Sequence, residues 1–375
     1  MIGGRFVMLC NNNERYEIGS HFDLDLNEVP FQRGKNESWL SSKNGDDSFT
    51  FSGRAAIEYA IKDIMRSRDV NVVYMPSYCC SSMVQPFINN GVDVRYYDVK
   101  FKSDEGIIYE VDTTIDCDIF FAMSYFGIEL FKLDNVCREF SKRGIPIIED
   151  ITHCLLSIIP YSSMADYSVA SIRKWFPIPS GGFILKHEGV LFAKPDLDSD
   201  DLINKKVEAM REKNAFLQGE EILKQTFMEK FSEFESIFKG LNYNYKIDRL
   251  SHEMILNMDI NDVRLRRRKN AKILYEGLNN FKFVEPLIPK PDIENGCPLF
   301  VPIMVTDGKR DELCKYLIEN KVYCPVHWPD STGSKTGIQE NELSLICDQR
   351  YTEKDMEFIL TLIEKWHPMV VNRYA

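Results

Sequence analysis

Two short segments of the sequence combine residue types that could carry out chemistry on a small molecule. Asp150 ends an apolar run, and His153 comes three residues later. Lys174 follows Ser171 by three residues and precedes a glycine pair. A lysine amine can attack a carbonyl carbon, and an aspartate can keep a ring nitrogen protonated. Each residue also has a plainer interpretation, since a lysine is often a surface charge and an aspartate often caps a turn.

A third segment adds a possible site for an anion. Ser52, Gly53 and Arg54 open a stretch whose apolar residues have helical spacing. Small residues at a helix start leave backbone N–H groups open to a negatively charged ligand, and Arg54 adds a positive charge. The alternative is that Ser52 is an ordinary helix N-cap with no ligand.

The elements that would position these segments alternate between strands and helices. Apolar runs predict strands at 70–75, 92–99, 118–127, 145–150, 166–172 and 181–187, with helices at 81–91 and 135–144. Strands that are apolar throughout indicate a mostly parallel sheet with helices on both faces. Ligands of such sheets bind at the carboxyl ends of the strands, where Asp150 and Lys174 both fall.

The remaining sequence predicts a second unit. A charged helix covers about 198–240, and a block of helix (251–280), strand (298–305), helix, strand and final helix follows. We therefore expect an N-terminal arm at 1–48, a large α/β domain at 49–240 and a smaller C-terminal α+β domain at 241–375.

The composition argues against several classes of protein. The formal net charge of −11 disfavours nucleic acid as a partner, and the basic run at 264–269 is interpreted as the solvated face of a helix. No stretch of about 18 apolar residues occurs, so no membrane span is expected. The first residues lack a secretory leader, which favours a cytoplasmic location. The 10 cysteines form no C-x-x-C pair, so no metal site is indicated.

The three segments together predict a binding site for pyridoxal 5'-phosphate. This cofactor needs an anion site for its phosphate, a carboxylate at its pyridine nitrogen and a lysine for its aldehyde. The order along the chain is helix start, aspartate and then lysine, 24 residues after the aspartate. The glycine-rich fingerprints of dinucleotide-binding and P-loop proteins are absent from the sequence, so those classes have little support.

The sequence resembles the DegT/StrS family of sugar aminotransferases, which have the type I fold of aspartate aminotransferase. The resemblance covers nearly the whole chain, and its most specific segments are IPIIEDITHCL and ADYSVASIRKWFPIPSGG. It implies a mostly parallel, mixed sheet of the seven-stranded type, flanked by helices. It also implies a homodimer with shared active sites that moves an amino group, from glutamate, to a keto group on a nucleotide-linked sugar.

The resemblance implies a role for each matching residue. Lys174 would form the internal aldimine with pyridoxal phosphate, and Asp150 would pair with the pyridine nitrogen. His153 would lie close to the ring and its phenolic oxygen. The position at which the family has an aromatic side chain stacked on the ring is Cys80 in this sequence. Tyr78, or no aromatic residue, would then cover the ring.

Other residues would hold the phosphate group. The resemblance assigns this role to Ser171 and to the helix start, where Ser52 precedes the backbone of Gly53 and Arg54. Asn244 matches an asparagine that reaches the phosphate of the partner subunit in relatives, and Asn242 is a rival for the same role.

Two other functions fit the same residues. One is a non-catalytic or regulatory relative that binds the cofactor or a sugar. The other is a different reaction of pyridoxal phosphate on the same fold, such as that of a lyase, which the departure at Cys80 keeps open.

Overall fold

The computed structural model describes residues 15–25, 44–241, 243–329 and 337–371, with side chains up to Trp366 in the last segment. Asn242, the rival of Asn244, lies outside the described residues. The first half of the chain contains β1 (Ile18–Gly19), β2 (Asp46–Thr50), α1 (Gly53–Met65), β3 (Val72–Pro76), α2 (Ser81–Asn89), β4 (Asp93–Lys102), β5 (Gly106–Glu110), β6 (Ile119–Met123), α3 (Asp134–Lys142), β7 (Ile147–Asp150), β8 (Tyr167–Ala170) and β9 (Gly182–Lys186). The second half contains α4 (Asn204–Gln218), α5 (Lys224–Gly240), α6 (Arg249–Asn257), α7 (Ile260–Leu278), β10 (Val284–Pro286), β11 (Val301–Val305), α8 (Arg310–Glu319), β12 (Val322–Tyr323), α9 (Ile338–Asn341), β13 (Glu342–Leu345) and α10 (Glu353–Val371).

Eight strands form the central sheet, in the order β2-β9-β8-β7-β6-β3-β4-β5. The strands β4, β3, β6, β7 and β8 run parallel to one another. The pairs β8–β9, β9–β2 and β4–β5 are antiparallel. The predicted fold class, a mostly parallel mixed sheet flanked by helices, is therefore confirmed. The sheet has one strand more than the seven-stranded type, because β5 turns back from β4 and extends that edge.

The central strands are rigid because both of their faces are covered. Every residue of β6, β7 and β8 is buried, as continuous apolar runs in parallel sheets predict. On one face, α1 buries Ile57, Ile61 and Ile64, whose spacing is that of a helical stripe. Burial of apolar surface stabilises the folded state by about 25 cal/mol per Å². The packing that stabilises these strands also holds their carboxyl ends in place.

Two of the predicted helices are each divided into two. The helix predicted at 198–240 is α4 followed by α5, and Gly219 ends α4 with a φ of 102° that favours glycine. The helix predicted at 251–280 is α6 followed by α7, because Asp259 caps a new helix by accepting from the backbone N–H groups of Asn261 and Asp262. In the ranges that the structure describes, no helix has the length and apolar character needed to cross a bilayer.

The C-terminal part has a small sheet of its own. The strands β10, β11 and β13 are antiparallel, in that order. The N-terminal segment reaches this part of the chain, since β1 pairs in parallel with β12 and places Ile18 opposite Val322. The strand β2 begins at Asp46, within the range predicted for the arm. The division into an arm and two domains stays a prediction.

The basic run at 264–269 lies in α7, as expected, but Arg267 is buried and Arg264 and Arg268 are half-buried. Arg267 is 1% exposed and donates hydrogen bonds to the carbonyl oxygens of two residues, Pro298 and Leu299. Arg264 and Arg268 donate to other loop carbonyl groups at 2.7 and 2.8 Å. The interpretation as a solvated face is wrong for Arg267 and holds only in part for Arg264 and Arg268, because all three donate to carbonyl groups of neighbouring loops.

Candidate active site

A cavity at the carboxyl edge of the central sheet brings together most of the residues predicted from the sequence. Strands β7 and β8 end at this edge, and α1 begins beside them. Seven of the predicted residues line this cavity. They are Ser52, Gly53, Arg54, Cys80, Asp150, Ser171 and Lys174. The edge is the one at which parallel α/β sheets hold ligands.

Lys174 is placed by a short turn that follows β8. Residues Ile172–Lys174 form one turn of 3-10 helix, and the N–H groups of Ile172 and Arg173 donate to the carbonyl oxygen of Gly181 at 3.0 and 3.4 Å. A side chain on the next residue, Gly182, would collide with the backbone of Ser52, so the glycine allows β9 to pass close to α1. The Lys174 side chain is exposed in the single chain and lines the cavity.

Asp150 ends β7 with a buried carboxylate. Its Oδ1 accepts a hydrogen bond of 2.8 Å from the N–H of Thr152. Burial raises the pKa of Asp150, while the hydrogen bonds from Thr152 and the positive charge of Lys174 act in the opposite direction. A cationic partner in the cavity would therefore offset the free energy cost of keeping this carboxylate ionised.

Thr152 was not singled out from the sequence, although it connects two parts of the site. Its hydroxyl oxygen accepts a hydrogen bond of 2.9 Å from the N–H of Ser171, and its carbonyl oxygen accepts one of 2.7 Å from the indole of Trp175. Together with its bond to Asp150, these contacts hold the ends of β7 and β8 in one arrangement. The only feature of the sequence that could have indicated Thr152 is its position between Asp150 and His153.

His153 lies behind the cavity and is fully buried. Its Nδ1 accepts a hydrogen bond of 3.1 Å from the backbone N–H of Phe126, so the proton of the neutral imidazole is on Nε2. Burial, with positive charge from Lys174 and His327, lowers the pKa of His153 well below its usual value. Nε2 is buried and has no hydrogen-bond partner among the described residues. It is an N–H donor that a ligand oxygen could satisfy.

The start of α1, where the sequence predicts an anion site, has a capped first turn at the cavity. Ser52 is the N-cap, and its hydroxyl oxygen accepts from the N–H of Ala55 at 3.1 Å. Gly53 lies against Ser171, where an added Cβ would be 3.0 Å from the Ser171 Cβ. The first N–H groups of a helix have no partner within the helix and carry its positive dipole end. The N-cap alternative is thus correct for the Ser52 hydroxyl, while the N–H groups of Gly53 and Arg54 remain suited to an anion.

Arg173 is a second residue that sequence reasoning missed, although it precedes Lys174. It lines the cavity, and its Nη1 lies 3.0 Å from Glu235 Oε1. The guanidinium groups of Arg173 and Arg54 lie 4.6 and 5.8 Å from the centroid of the Phe238 ring. Two arginines therefore stand beside one phenyl ring at the cavity, and one of them is paired with a carboxylate.

Three predicted residues, His153, Tyr78 and Asn244, do not line the cavity. Tyr78 is 0% exposed, because its ring packs into the core against Tyr125 and Trp328. Asn244 accepts a hydrogen bond from the Tyr59 hydroxyl and donates one to Asp196 within its own chain. The structure describes one chain, so the role of Asn244 toward a partner subunit stays a prediction.

The residues present fit pyridoxal phosphate. The start of α1 and Ser171 suit a phosphate group, and the buried carboxylate of Asp150 suits a protonated ring nitrogen. The unsatisfied Nε2–H of His153 suits an oxygen on the ring. Lys174 lines the same cavity and carries the amine that the aldehyde of the cofactor requires.

Comparison with known proteins supports the fold assignment. No protein-family model matches the sequence, and no curated protein matches it by sequence. The solved structure of the Helicobacter pylori aminotransferase PseC is 15% identical, with a TM-score of 0.65, and the match covers 93% of this chain and 99% of that one. The chain has the fold of the PLP-dependent aminotransferases.

Two further solved structures show the same similarity. The aminotransferase TlmJ from Streptoalloteichus hindustanus is 15% identical with a TM-score of 0.61, and the match covers 87% of this chain and 86% of that one. The structure of DesI in the presence of its TDP-sugar product is 13% identical with a TM-score of 0.60, covering 88% and 83%. The predicted type I fold is therefore confirmed for the chain as a whole.

Proposed function

We propose that the protein is a PLP-dependent aminotransferase that transfers an amino group from glutamate to a keto group on a nucleotide-linked sugar. One observation carries the proposal: Lys174, Asp150 and the start of α1 line one cavity at the carboxyl edge of the sheet. They do so on a fold shared with PseC and TlmJ, both described as aminotransferases. The similarity to DesI, described with a TDP-sugar product, supports a nucleotide-linked sugar as substrate.

Each residue would hold a different part of the cofactor. The backbone N–H groups of Gly53 and Arg54 would bind the phosphate together with Ser171, and Asp150 would hold the proton on the ring nitrogen. His153 would donate its Nε2 proton to the phenolic oxygen. When bound, pyridoxal phosphate supplies an electrophilic carbon and a ring that withdraws electrons from the reacting carbon.

Lys174 would act first as the nucleophile and then, once displaced by the amino donor, as the base that carries a proton between two carbons. The exposed position of its amine on the cavity wall is consistent with both tasks. Arg173 and Arg54 would favour anionic substrates at the same opening, such as the carboxylate of glutamate or the diphosphate of a nucleotide sugar.

We also propose that the enzyme is a homodimer in which each active site uses residues of both chains. The supporting feature is Asn244, which matches a residue that contacts the neighbouring phosphate in relatives. A two-fold symmetric dimer is the commonest arrangement for such an enzyme. A partner subunit would also cover the exposed Lys174 and exclude water from the site.

The proposal is tested by spectroscopy and product analysis on the purified protein. With added pyridoxal phosphate, the wild type should acquire a visible absorption band that Lys174→Ala lacks. Glutamate should bleach the band and yield 2-oxoglutarate in stoichiometric amounts. Mass spectrometry with a panel of 3-keto and 4-keto nucleotide sugars should then identify an aminated product.

Other results would support the other functions. A protein that releases no 2-oxoglutarate and converts no substrate, with or without the band, would be a non-catalytic relative. A protein that gains the band and converts its substrate without forming 2-oxoglutarate would be a lyase or another enzyme that uses this cofactor.

A further inference from the structure

The cavity has no aromatic side chain at the position where the family resemblance predicts one. Cys80 lines the cavity there, and its thiol lies 2.9 Å from the Ser82 hydroxyl at the start of α2. A cysteine side chain is too small to cover the face of a six-membered ring. Tyr78, the other candidate, is buried in the core and does not line the cavity.

An indole from a distant part of the chain reaches the same cavity. Trp328 follows β12 in the C-terminal part, and it lines the cavity together with Cys80, Asp150 and Lys174. Its ring lies 5.6 Å from the ring of His153, centroid to centroid, with an angle of only 21° between the planes. It also meets the edge of the Tyr78 ring, at 4.8 Å between centroids. A flat aromatic surface is therefore placed beside Asp150 and His153.

The backbone of Trp328 is held in an unfavourable conformation. Its φ is 50°, in the left-handed region that bulky residues rarely occupy, and Pro329 follows it. The neighbouring His327 is held by one contact of its backbone and one of its ring. Its backbone N–H donates to Glu342 Oε2 at 2.8 Å, and its Nδ1 lies 2.9 Å from the Ser344 hydroxyl oxygen. These buried contacts of His327 anchor the segment from which the Trp328 indole enters the cavity.

We propose that Trp328 provides the aromatic cover of the cofactor ring, in place of the aromatic side chain that Cys80 does not supply. The inference rests on the proposed function and names a further residue for its site. A stacked indole would hold the ring plane against the opposite wall and would keep water from that face. The aromatic residue would then come from the C-terminal part of the chain instead of from the end of β3.

The experiment measures the dissociation constant for pyridoxal phosphate in wild type, Trp328→Leu and Trp328→Phe by absorbance titration. Trp328→Leu should weaken binding about three- to tenfold, because a stacked aromatic pair is lost, and Trp328→Phe should remain close to wild type. Adding Cys80→Phe to Trp328→Leu should recover most of the lost affinity. Trp366→Phe, in α10, is the matched control and should leave the dissociation constant unchanged.

Circular dichroism melting of each variant keeps folding separate from binding. A wild type that binds no pyridoxal phosphate would overturn both the proposed function and this inference. A wild type that binds it, with Trp328→Leu binding equally well, would overturn the inference alone. The inference would also be overturned if Trp328→Leu raised only the KM for the sugar, because the indole would then face the substrate.

Discussion

The backbone N–H of Phe126 donates a hydrogen bond of 3.1 Å to Nδ1 of His153, and this contact determines where the imidazole carries its proton. Phe126 has a φ of 61°, and Gly127 follows with 75°, so the chain turns sharply just after β6. This turn directs the backbone N–H of Phe126 toward the buried ring of His153. As a result, Nε2 is a fixed donor, and it does not depend on the pH of the solvent for its proton.

We predict that His153 stays neutral as the pH falls. Its folded pKa lies well below that of the unfolded chain, chiefly through burial, so the unfolded state binds more protons at acid pH. The wild type should therefore lose stability as the pH falls through about 6.5, the pKa of an unfolded histidine. His153→Gln should lose less stability than the wild type over the same fall in pH. Melting temperatures of the cofactor-free proteins between pH 5 and pH 8 test this, and parallel curves would contradict it.

Asp150→Asn should abolish most of the catalytic rate and leave the fold intact. Burial raises the pKa of Asp150, so the carboxylate opposes folding of the cofactor-free protein at neutral pH, and the amide should not lower its melting temperature. In the loaded enzyme, the amide cannot hold a ring proton, and the expected loss is about 3–4 kcal/mol of transition-state stabilisation. Kinetics with glutamate test the rate. Asp166→Asn is the control, because Asp166 is an exposed aspartate that accepts from the N–H of Ile147 and does not line the cavity. Wild-type kinetics in Asp150→Asn would show that Asp150 only caps the turn that follows β7 and has no catalytic role.

Glu149 should make the protein less stable as the pH rises, whereas His153 makes it less stable as the pH falls. It is buried beside Asp150, accepts a hydrogen bond of 2.7 Å from the N–H of Ser162, and has its pKa raised to about 8 by burial. The folded state then binds the extra proton, so stability is lost as the pH rises from the unfolded pKa toward 8. Glu149→Gln should remove this loss, and its melting temperature should exceed that of the wild type more at pH 8 than at pH 5. An equal difference at the two pH values would show that Glu149 is ionised throughout.

The strands that carry the site could be predicted because each is a short, buried apolar run with a polar residue at its end. β7 illustrates this, since Ile147 and Ile148 are buried and Asp150 follows. β5 was missed, although Gly106, with a φ of 78°, marks the turn that precedes it. β5 lies at the sheet edge and buries only Gly106 and Ile107, so it shows neither a continuous apolar run nor a clear alternation.

The residues missed at the site are those whose roles depend on contacts distant in sequence. Trp328 meets His153 across 175 positions, and no local pattern marks that contact. Arg267 was placed on a solvated face because the run around it is almost entirely charged, whereas its partners are carbonyl groups of a distant loop. Periodicity reports which face of a helix is apolar, but it cannot report a buried arginine whose charge is satisfied by tertiary structure.

Two impaired variants should complement each other if the active site is shared between chains. If Lys174 of one chain acts with Asn244 of the other, Lys174→Ala and Asn244→Ala should each be impaired, and mixing the two should restore activity. Random exchange of subunits makes half of the dimers hybrids, and each hybrid has one site with both residues intact, so about a quarter of wild-type activity should return.

The Asn244 variant needs a control for its contacts within one chain, because its side chain also bonds to Tyr59 and Asp196. Asn320→Ala removes a comparable amide, which donates to the carbonyl oxygen of Tyr316 in α8, and it should keep full activity. Subunit exchange is verified by mass spectrometry of differently tagged chains. A monomer in sedimentation under assay conditions, or hybrids that form and stay inactive, would show that each site is built from one chain and that Asn244 serves only its own loop.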